Sequence, residues 1–398
     1  MADGVTPNYG LLKPEINASD NTWGAKINAN FDEIDTAIKA VADTIIQPDG
    51  IGDFFDTARD MDSKWLRRNG ALYDSADYPG LAAIMPALAD SVEWDTEPAN
   101  AIQGGYGIVQ AEGRITAVFT NATTTAIIAS VDGGDWNVRH TFAGSVQNGR
   151  LAYGAGVFVM VDGNGKRATS PDGDTWSTAD FLDTGTIGCL DICYGNGIFV
   201  AVGLRDGGGG GIWTSADGVS WVERTSGSTY MLQGVDFVND VFVAVGINGT
   251  ILTSTDGITW TPRTSGVTTQ LNSTTFLDGL YVIVGHNGAV LTSSNLAGWT
   301  PRTSGVATDL FRTIATSTTI IAVGESGTAI ISADGISWTP TITGLSADIY
   351  AVIYDSVDDN LFYAVGGLTS VLYGVRTLAT QFRVPDDNPT YGWIRALT

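Results

Sequence analysis

Gly246-Ile247-Asn248-Gly249-Thr250-Ile251-Leu252-Thr253-Ser254-Thr255-Asp256-Gly257-Ile258-Thr259-Trp260 is one copy of a pattern that recurs along most of this chain. Its Ser-x-Asp-Gly-x-x-Trp core occupies residues 130–136, 170–176, 215–221, 254–260 and 332–338. A further copy, 293–299, carries Asn295 where the others carry Asp. The tryptophans 136, 176, 221, 260, 299 and 338 follow one another at 40, 45, 39, 39 and 39 residues. A fixed period of about 40 residues signals stacked or radially arranged units.

Each unit can be read internally. Residues 232–238, 241–245, 250–254 and 259–264 are strand candidates. They are separated by Asn239-Asp240, Asn248-Gly249 and Asp256-Gly257, which are turn dipeptides. Four short antiparallel strands per unit is the blade of a β-propeller. Apolar second strands begin near Arg114, Val157, Ile198, Val241, Leu280, Thr319 and Leu361. The sequence therefore predicts an all-β fold, a seven-bladed β-propeller over 98–378. Its last unit, 348–378, lacks the Ser-Asp-Gly-Trp turn, as terminal repeats often do.

The repeated turn resembles the Asp-box of sialidases and related propellers. That resemblance implies a structural role for Asp132, Trp136, Asp172, Trp176, Asp217, Trp221, Asp256, Trp260, Trp299, Asp334 and Trp338. The Ser and Asp side chains would bond local backbone, and each Trp would pack between neighbouring blades. The physics agrees, because Ser and Asp satisfy their own turn backbone and an indole buries a large ring. Sialidase chemistry needs three converging arginines. Arg224, Arg263 and Arg302 recur every 39 residues in Trp-x-x-Arg-Thr-Ser-Gly, so they occupy equivalent places on different blades and need not meet.

Composition narrows the function classes. The chain has 398 residues, 50 glycines, 43 acidic and 20 basic side chains, and a formal net charge of −23. A phosphate backbone or an anionic membrane surface would be repelled. No apolar run reaches the 18 or so residues a spanning helix needs, so membrane insertion is not expected. The start, Met1-Ala2-Asp3-Gly4, has no basic-then-apolar secretion signal, so synthesis in a cytoplasm is expected. Cys189 and Cys193 are the only cysteines. Four apart on one strand they would share a face about 13 Å apart, too far for a disulfide. No metal-ligand or cofactor pattern is present.

Residues 1–47 read as an extended arm followed by a helix. Ile27, Phe31, Ile34, Ile38, Val41 and Ile45 form a short heptad seam that favours a small parallel bundle, most simply a trimer, or else packs on its own domain. The stretches Thr6-Pro-Asn-Tyr-Gly-Leu-Leu-Lys-Pro, Asn21-Thr-Trp-Gly and Ile27-Asn-Ala-Asn-Phe-Asp are similar to the N-terminal segments of phage tail-fibre proteins. Trp65-Leu66-Arg67-Arg68-Asn69-Gly70-Ala71-Leu72-Tyr73 and Tyr78-Pro79-Gly80 look like the opening of a tail-collar domain. Phe382-Arg383-Val384-Pro385-Asp386 and Tyr391-Gly392-Trp393-Ile394-Arg395 resemble its close. These resemblances imply a collar-like domain split into 48–97 and 379–398, with the propeller inserted between its halves.

Few residues offer catalysis. His140 and His286 are the only histidines, and His286 reads as an exposed turn residue equivalent to Asn248 and Ser326. Asp358-Asp359 and Asp386-Asp387 read as solvated turns. Arg205 to Gly211 has no Lys-Ser/Thr and is read as a long second-to-third-strand connection, not a phosphate loop. In a four-stranded meander the second-to-third turns and the blade-to-blade connections share the face opposite the Ser-Asp-Gly-Trp turns. Sequence varies most there, and variable loops on a rigid scaffold carry binding. Tyr230, Gln270, His286 and Arg312 are the candidate contacts. The resemblances imply a virion structural protein, a tail fibre or receptor-binding component assembled in the host cytoplasm. It would join tail or baseplate proteins through 1–47 and meet a host surface glycan or protein. The alternatives are a tail-associated glycan hydrolase and a cellular assembly factor, since photosystem assembly proteins carry similar propeller repeats.

Overall fold

The computed structural model describes residues 65–67, 72–74, 91–98, 104–120, 124–131, 136–143, 149–177, 180–181, 188–341, 343, 345–354, 361–367, 370–377, 381–383 and 393–395. The arm and helix expected over 1–47, Asp132, Asp358-Asp359 and Asp386-Asp387 lie outside them. Regular structure among the described residues is β strand, apart from three single 3-10 turns.

The chain divides into two units, residues 1–91 with 377–398, and residues 92–376. In the first, Trp65–Arg67 pairs antiparallel with Trp393–Arg395, and Leu72–Asp74 with Gln381–Arg383. Backbone ladders thus join segments that lie more than 300 residues apart in sequence.

The second unit holds seven four-stranded antiparallel sheets among the described residues. Their first strands are Gly105–Ala111, Arg150–Gly154, Gly188–Gly195, Leu232–Val238, Leu271–Leu277, Leu310–Ala315 and Ile349–Tyr354, which number sheets 1 to 7. Each first strand adjoins that of the next sheet, and the seventh adjoins the first. The ring is closed, and the fold is a β-propeller. Sheet 7 takes Ile349–Tyr354, Leu361–Gly366 and Ser370–Thr377 from one side of the sequence and its outer strand, Ser91–Pro98, from the other. That explains the missing Ser-Asp-Gly-Trp turn: no chain passes from third to fourth strand there. It also corrects the expected boundary, because a strand assigned by sequence to 48–97 belongs to the propeller sheet.

Sheet 4 shows why these residues form these strands. Val241–Gly246 is an unbroken apolar run because it is covered on both faces, and Phe242, Val243, Ala244 and Val245 have no exposed surface. Asn239 and Asp240, both at positive φ (48° and 61°), turn it back from Leu232–Val238. The outer strand Thr261–Arg263 is exposed, and its Pro262 removes a donor from the free edge, which discourages edge-to-edge pairing. Pro301 and Pro340 occupy the same place in sheets 5 and 6.

Apolar clusters fill the gaps between sheets. Val200, Val202 and Ile212 of sheet 3 meet Leu232, Val235, Phe242, Ala244 and Leu252 of sheet 4, with Trp260 packed against them. The turn that places Trp260 is self-contained. Gly257 N–H donates to Ser254 Oγ (2.8 Å), and the Ile258 and Thr259 N–H groups donate to Asp256 Oδ1 (2.8 Å each). Trp260 Nε1 donates to the Gly257 carbonyl (3.0 Å), and Gly257 sits at φ 68°. Asp172, Asp217 and Asp334 accept the same pair of backbone N–H bonds. The Asn295 copy is weaker: its two N–H bonds are 3.0 and 3.4 Å, and Leu296 holds φ 63° where the others have glycine. Trp299 Nε1 is buried there without a partner.

Two local expectations need correcting. Cys189 and Cys193 are both free thiols, but they do not share a face. The ladder shifts register between Cys189 and Asp191, so Leu190 bulges out and reverses the alternation. Cys189 packs between sheets 2 and 3, and Cys193 between sheets 3 and 4. The long connection expected over 205–211 is shorter, since Gly210 and Gly211 already belong to strand Gly210–Ser215.

Trp260→Phe loses a hydrogen bond from its indole, whereas Trp299→Phe removes a buried donor that has no partner. Urea unfolding is therefore expected to show Trp260→Phe costing about 1 kcal/mol more than Trp299→Phe. The carboxyls of Asp172, Asp217 and Asp256 are each held down at about 2 by the two backbone N–H groups that donate to them. Groups with depressed values stabilise above their unfolded value, about 4, and lose that contribution as pH falls through the folded one. The stability gap between wild type and Asp256→Asn is expected to shrink as pH falls from about 4 to about 2; a gap constant across that window would contradict the assignment.

Candidate functional site

Six of the seven first strands carry the same irregularity near their start. The ladder to the second strand slips by one residue, leaving Tyr106, Leu190, Gln233, Asn272, Phe311 and Tyr350 as the extra residues of β-bulges. The next residue in each, together with Arg150 in sheet 2, pairs with a valine. These pairs are Gly107 with Val118, Arg150 with Val161, Asp191 with Val202, Gly234 with Val245, Ser273 with Val284, Arg312 with Val323 and Ala351 with Val365. One structural position is thus filled by charge in sheets 2, 3 and 6 and by small residues in sheets 1, 4, 5 and 7.

The charged residues reach past the small ones. Arg312 of sheet 6 donates to Asp191 Oδ2 of sheet 3 (2.6 Å) and lies 2.9 Å from Asp236 Oδ1 of sheet 4. The carboxylates have backbone donors too, Val235 N–H to Asp191 (3.0 Å) and Thr274 N–H to Asp236 (2.7 Å). A Cβ at Gly234 would stand 1.9 Å from the Asn272 carbonyl oxygen, so only glycine fits beneath this bridge. On the other side Arg150 donates to the carbonyls of Leu190 (3.0 Å), Tyr350 (3.5 Å) and Tyr106. Burial pushes Asp236 up to about 6 against the pull of Arg312. Burial opposes charge on Arg312 as well, but Asp191 and Asp236 outweigh it and raise its value, so the guanidinium stays charged. Arg312 is therefore a tie among sheets 3, 4 and 6, on strand Leu310–Ala315 and not in the preceding loop.

The first strands begin at the face expected to bind. There Gln270 and His286 do come together. Gln270 Nε2 is 2.9 Å from His286 Nε2 and 2.9 Å from Asn272 Oδ1, and Asn272 Nδ2 donates to the Leu310 carbonyl (2.7 Å). That carbonyl orients both amides, so His286 accepts on Nε2 and carries its proton on Nδ1, which is 3.3 Å from Asp309 Oδ2. His286 is half-buried, which corrects the exposed reading. Its equivalents are Ile247 and Glu325, the first residues of the other two 3-10 turns, and Asn287 matches Asn248 and Ser326. Tyr230 is 45% exposed in the connection from sheet 3 to sheet 4, and its N–H and carbonyl both bond Ser228 Oγ.

Sequence reasoning missed the aromatic bulge residues. Tyr106 and Tyr350 stack at 4.9 Å between ring centroids and 15° between planes, and Phe311 lies 5.5 Å from Tyr350. The three half-buried rings form an arc across sheets 6, 7 and 1. Tyr350 Oη donates to Asp348 Oδ2 (3.0 Å), and burial followed by that bond raises the phenol to about 12. Phe311 and Tyr350 each lie two residues after an aspartate, Asp309 and Asp348, that immediately precedes its strand, whereas Tyr106 follows Gly104 and carries no such signal. Arg224, Arg263 and Arg302 each donate from Nε to a threonine of the adjacent strand (2.9 Å each), which keeps them in their own sheets.

No family model matches the chain, and no curated protein matches it. Solved structures do. YCF48 bound to a D1 peptide aligns with a TM-score of 0.57 and 18% identity over 73% of this chain and 99% of its own. A catalytically inactive virginiamycin B lyase from Staphylococcus aureus with quinupristin aligns at 0.62 and 11% identity over 72% and 99%. The WD40 propeller domain of Doa1 aligns at 0.55 and 12% identity over 71% and 96%. At these identities the likeness concerns the β-propeller fold.

Proposed function

We propose that this propeller is a recognition module that binds a polypeptide partner on the face formed by the second-to-third turns and the sheet-to-sheet connections. The observation that carries the reading is where the repeat breaks down. The box turns repeat one chemistry around the ring, whereas Tyr106, Gln270, His286, Phe311 and Tyr350 differ from sheet to sheet and gather at the opposite face. YCF48, a structural neighbour, has been solved with a peptide, and Doa1 offers a second cellular propeller. The chain would act, as the peptide-bound YCF48 structure suggests, by holding a partner: Arg150 and Arg312 are spent on bridging sheets, and Arg224, Arg263 and Arg302 on threonines.

A second reading keeps the terminal segments in view. The stretches that resemble tail-collar sequences, around 65–74 and 381–395, pair with each other in one unit. On that reading the partner is a host surface glycan or protein, the chain sits in a virion tail, and residues 1–47 join tail or baseplate proteins, as a trimer.

A photoreactive benzoyl-phenylalanine placed at Phe311 is expected to crosslink a polypeptide in extract of the source cells. The same probe at Ile258, exposed on the opposite face, is expected to give none. Equal crosslinking from both positions, or none from Phe311, contradicts the proposal. Immunogold labelling of purified particles separates the two readings: label on particles supports the virion setting.

A further inference from the structure

The face described above is chemically lopsided, and the imbalance names its occupant. Sheets 5 to 7 place Asp309, Glu325 and Asp348 at their turns and incoming connections, against His286 alone of basic type. Asp309 Oδ1 accepts the Asn287 N–H (2.8 Å), Asp348 Oδ1 the Ser326 N–H (2.9 Å), and Glu325 Oε2 the Asp309 N–H (3.3 Å). With His286 Nδ1 beside Asp309 Oδ2 and Tyr350 Oη on Asp348 Oδ2, both oxygens of each aspartate are engaged once, which fixes these carboxylates and leaves about two of the four or so acceptor sites of each. Asp309 keeps 28% of its side-chain exposure and Glu325 is half-buried, so both stay accessible. The rings of Phe311 and Tyr350 rise from the same two sheets, 6 and 7, and Tyr350 is tied through its hydroxyl to Asp348.

A flat aromatic surface bordered by fixed carboxylates suits a planar cation. The ring faces carry negative quadrupole charge, and the carboxylates offer paired acceptors. The hub is balanced as a whole, because its two guanidiniums, Arg312 and Arg150, face two carboxylates, Asp191 and Asp236. Resting on the recognition role proposed above, we infer that the Phe311–Tyr350–Tyr106 arc with Asp309, Glu325 and Asp348 is a docking site for an arginine side chain of the partner polypeptide. Tyr106 already covers one face of Tyr350, so the guanidinium lies over the part of the Phe311–Tyr350 pair left open while its N–H groups reach Asp309 or Asp348. Arginine is favoured over lysine because its plane can do both at once.

Three pentapeptides test this, with a central arginine, citrulline or glutamate and glycine elsewhere, titrated by calorimetry into the full chain at low salt. The arginine peptide is expected to bind saturably, the neutral citrulline peptide about ten-fold more weakly, and the glutamate peptide not at all. Asp309→Asn with Asp348→Asn is expected to weaken the arginine peptide about ten-fold, and raised salt to weaken it further. Tyr350→Leu should abolish the advantage of arginine, while Tyr350→Phe, which keeps the ring, should retain it. Thermal unfolding of each variant shows that the fold survives, and Glu325→Gln replaces the double variant should that one fail to fold. Equal binding of arginine and citrulline peptides, absence of saturation, or indifference to these substitutions overturns the inference. If Phe311 still crosslinks a polypeptide in that case, the recognition role stands and only the arginine site falls.

Discussion

The structure depends on one bridge, the half-buried Arg312 guanidinium held between the buried carboxylates of Asp191 and Asp236. Its ends lie 121 residues apart in sequence, in sheets 3 and 6, and it passes sheets 4 and 5 on the way. Gly234 and Ser273 are small where the bridge passes, and Gly234 has no room for a Cβ. Arg150 performs the complementary task for sheets 7, 1, 2 and 3, using backbone carbonyls as acceptors. A ring of sheets in contact only with neighbours could open at any seam. Two arginines that each engage several sheets remove that freedom, and the outer strand Ser91–Pro98, which precedes sheet 1 in sequence, closes the ring by backbone hydrogen bonds to sheet 7.

The periphery is held by a different device. Among the described residues, the Ser-x-Asp-Gly-x-x-Trp turns at 170–176, 215–221, 254–260 and 332–338 satisfy their own polar groups, so the tryptophan enters the apolar seam between sheets with its N–H already bonded. The turn is local and repeats; the hub is non-local and does not. Loops on the opposite face are relieved of both structural duties, which leaves their residues free to differ from sheet to sheet and to contact a partner.

That division explains what could be read from sequence. The turn needs a hydroxyl, a carboxylate, a glycine at positive φ and an indole at fixed spacing, so six copies reveal the period and the β-propeller. The second strands at Val157, Ile198, Val241 and Leu280 begin where the apolar runs begin, because burial on both faces admits little else. The hub was illegible for two reasons. Its members are joined by space and not by spacing, and the bulges at Leu190, Gln233 and Phe311 break the alternation used to assign faces. Strict alternation puts Cys189 and Cys193 on one face, and the bulge at Leu190 separates them. Arg312 falls among loop residues by sequence although its strand starts two residues before it, and His286 shifts by one position when the Asn-Gly dipeptide is matched in place of the preceding glycine. The valines opposite Arg150, Asp191 and Arg312 mark the hub position in hindsight.

A double-mutant cycle measures the bridge directly. Arg312→Met, Asp191→Asn and the pair are compared by urea unfolding. A bridge that locks the ring predicts single losses of about 3–5 kcal/mol and a coupling of at least about 1.5 kcal/mol, so that the pair costs clearly less than the sum. Losses that add to within about 0.5 kcal/mol would show the two side chains acting independently and would contradict the account.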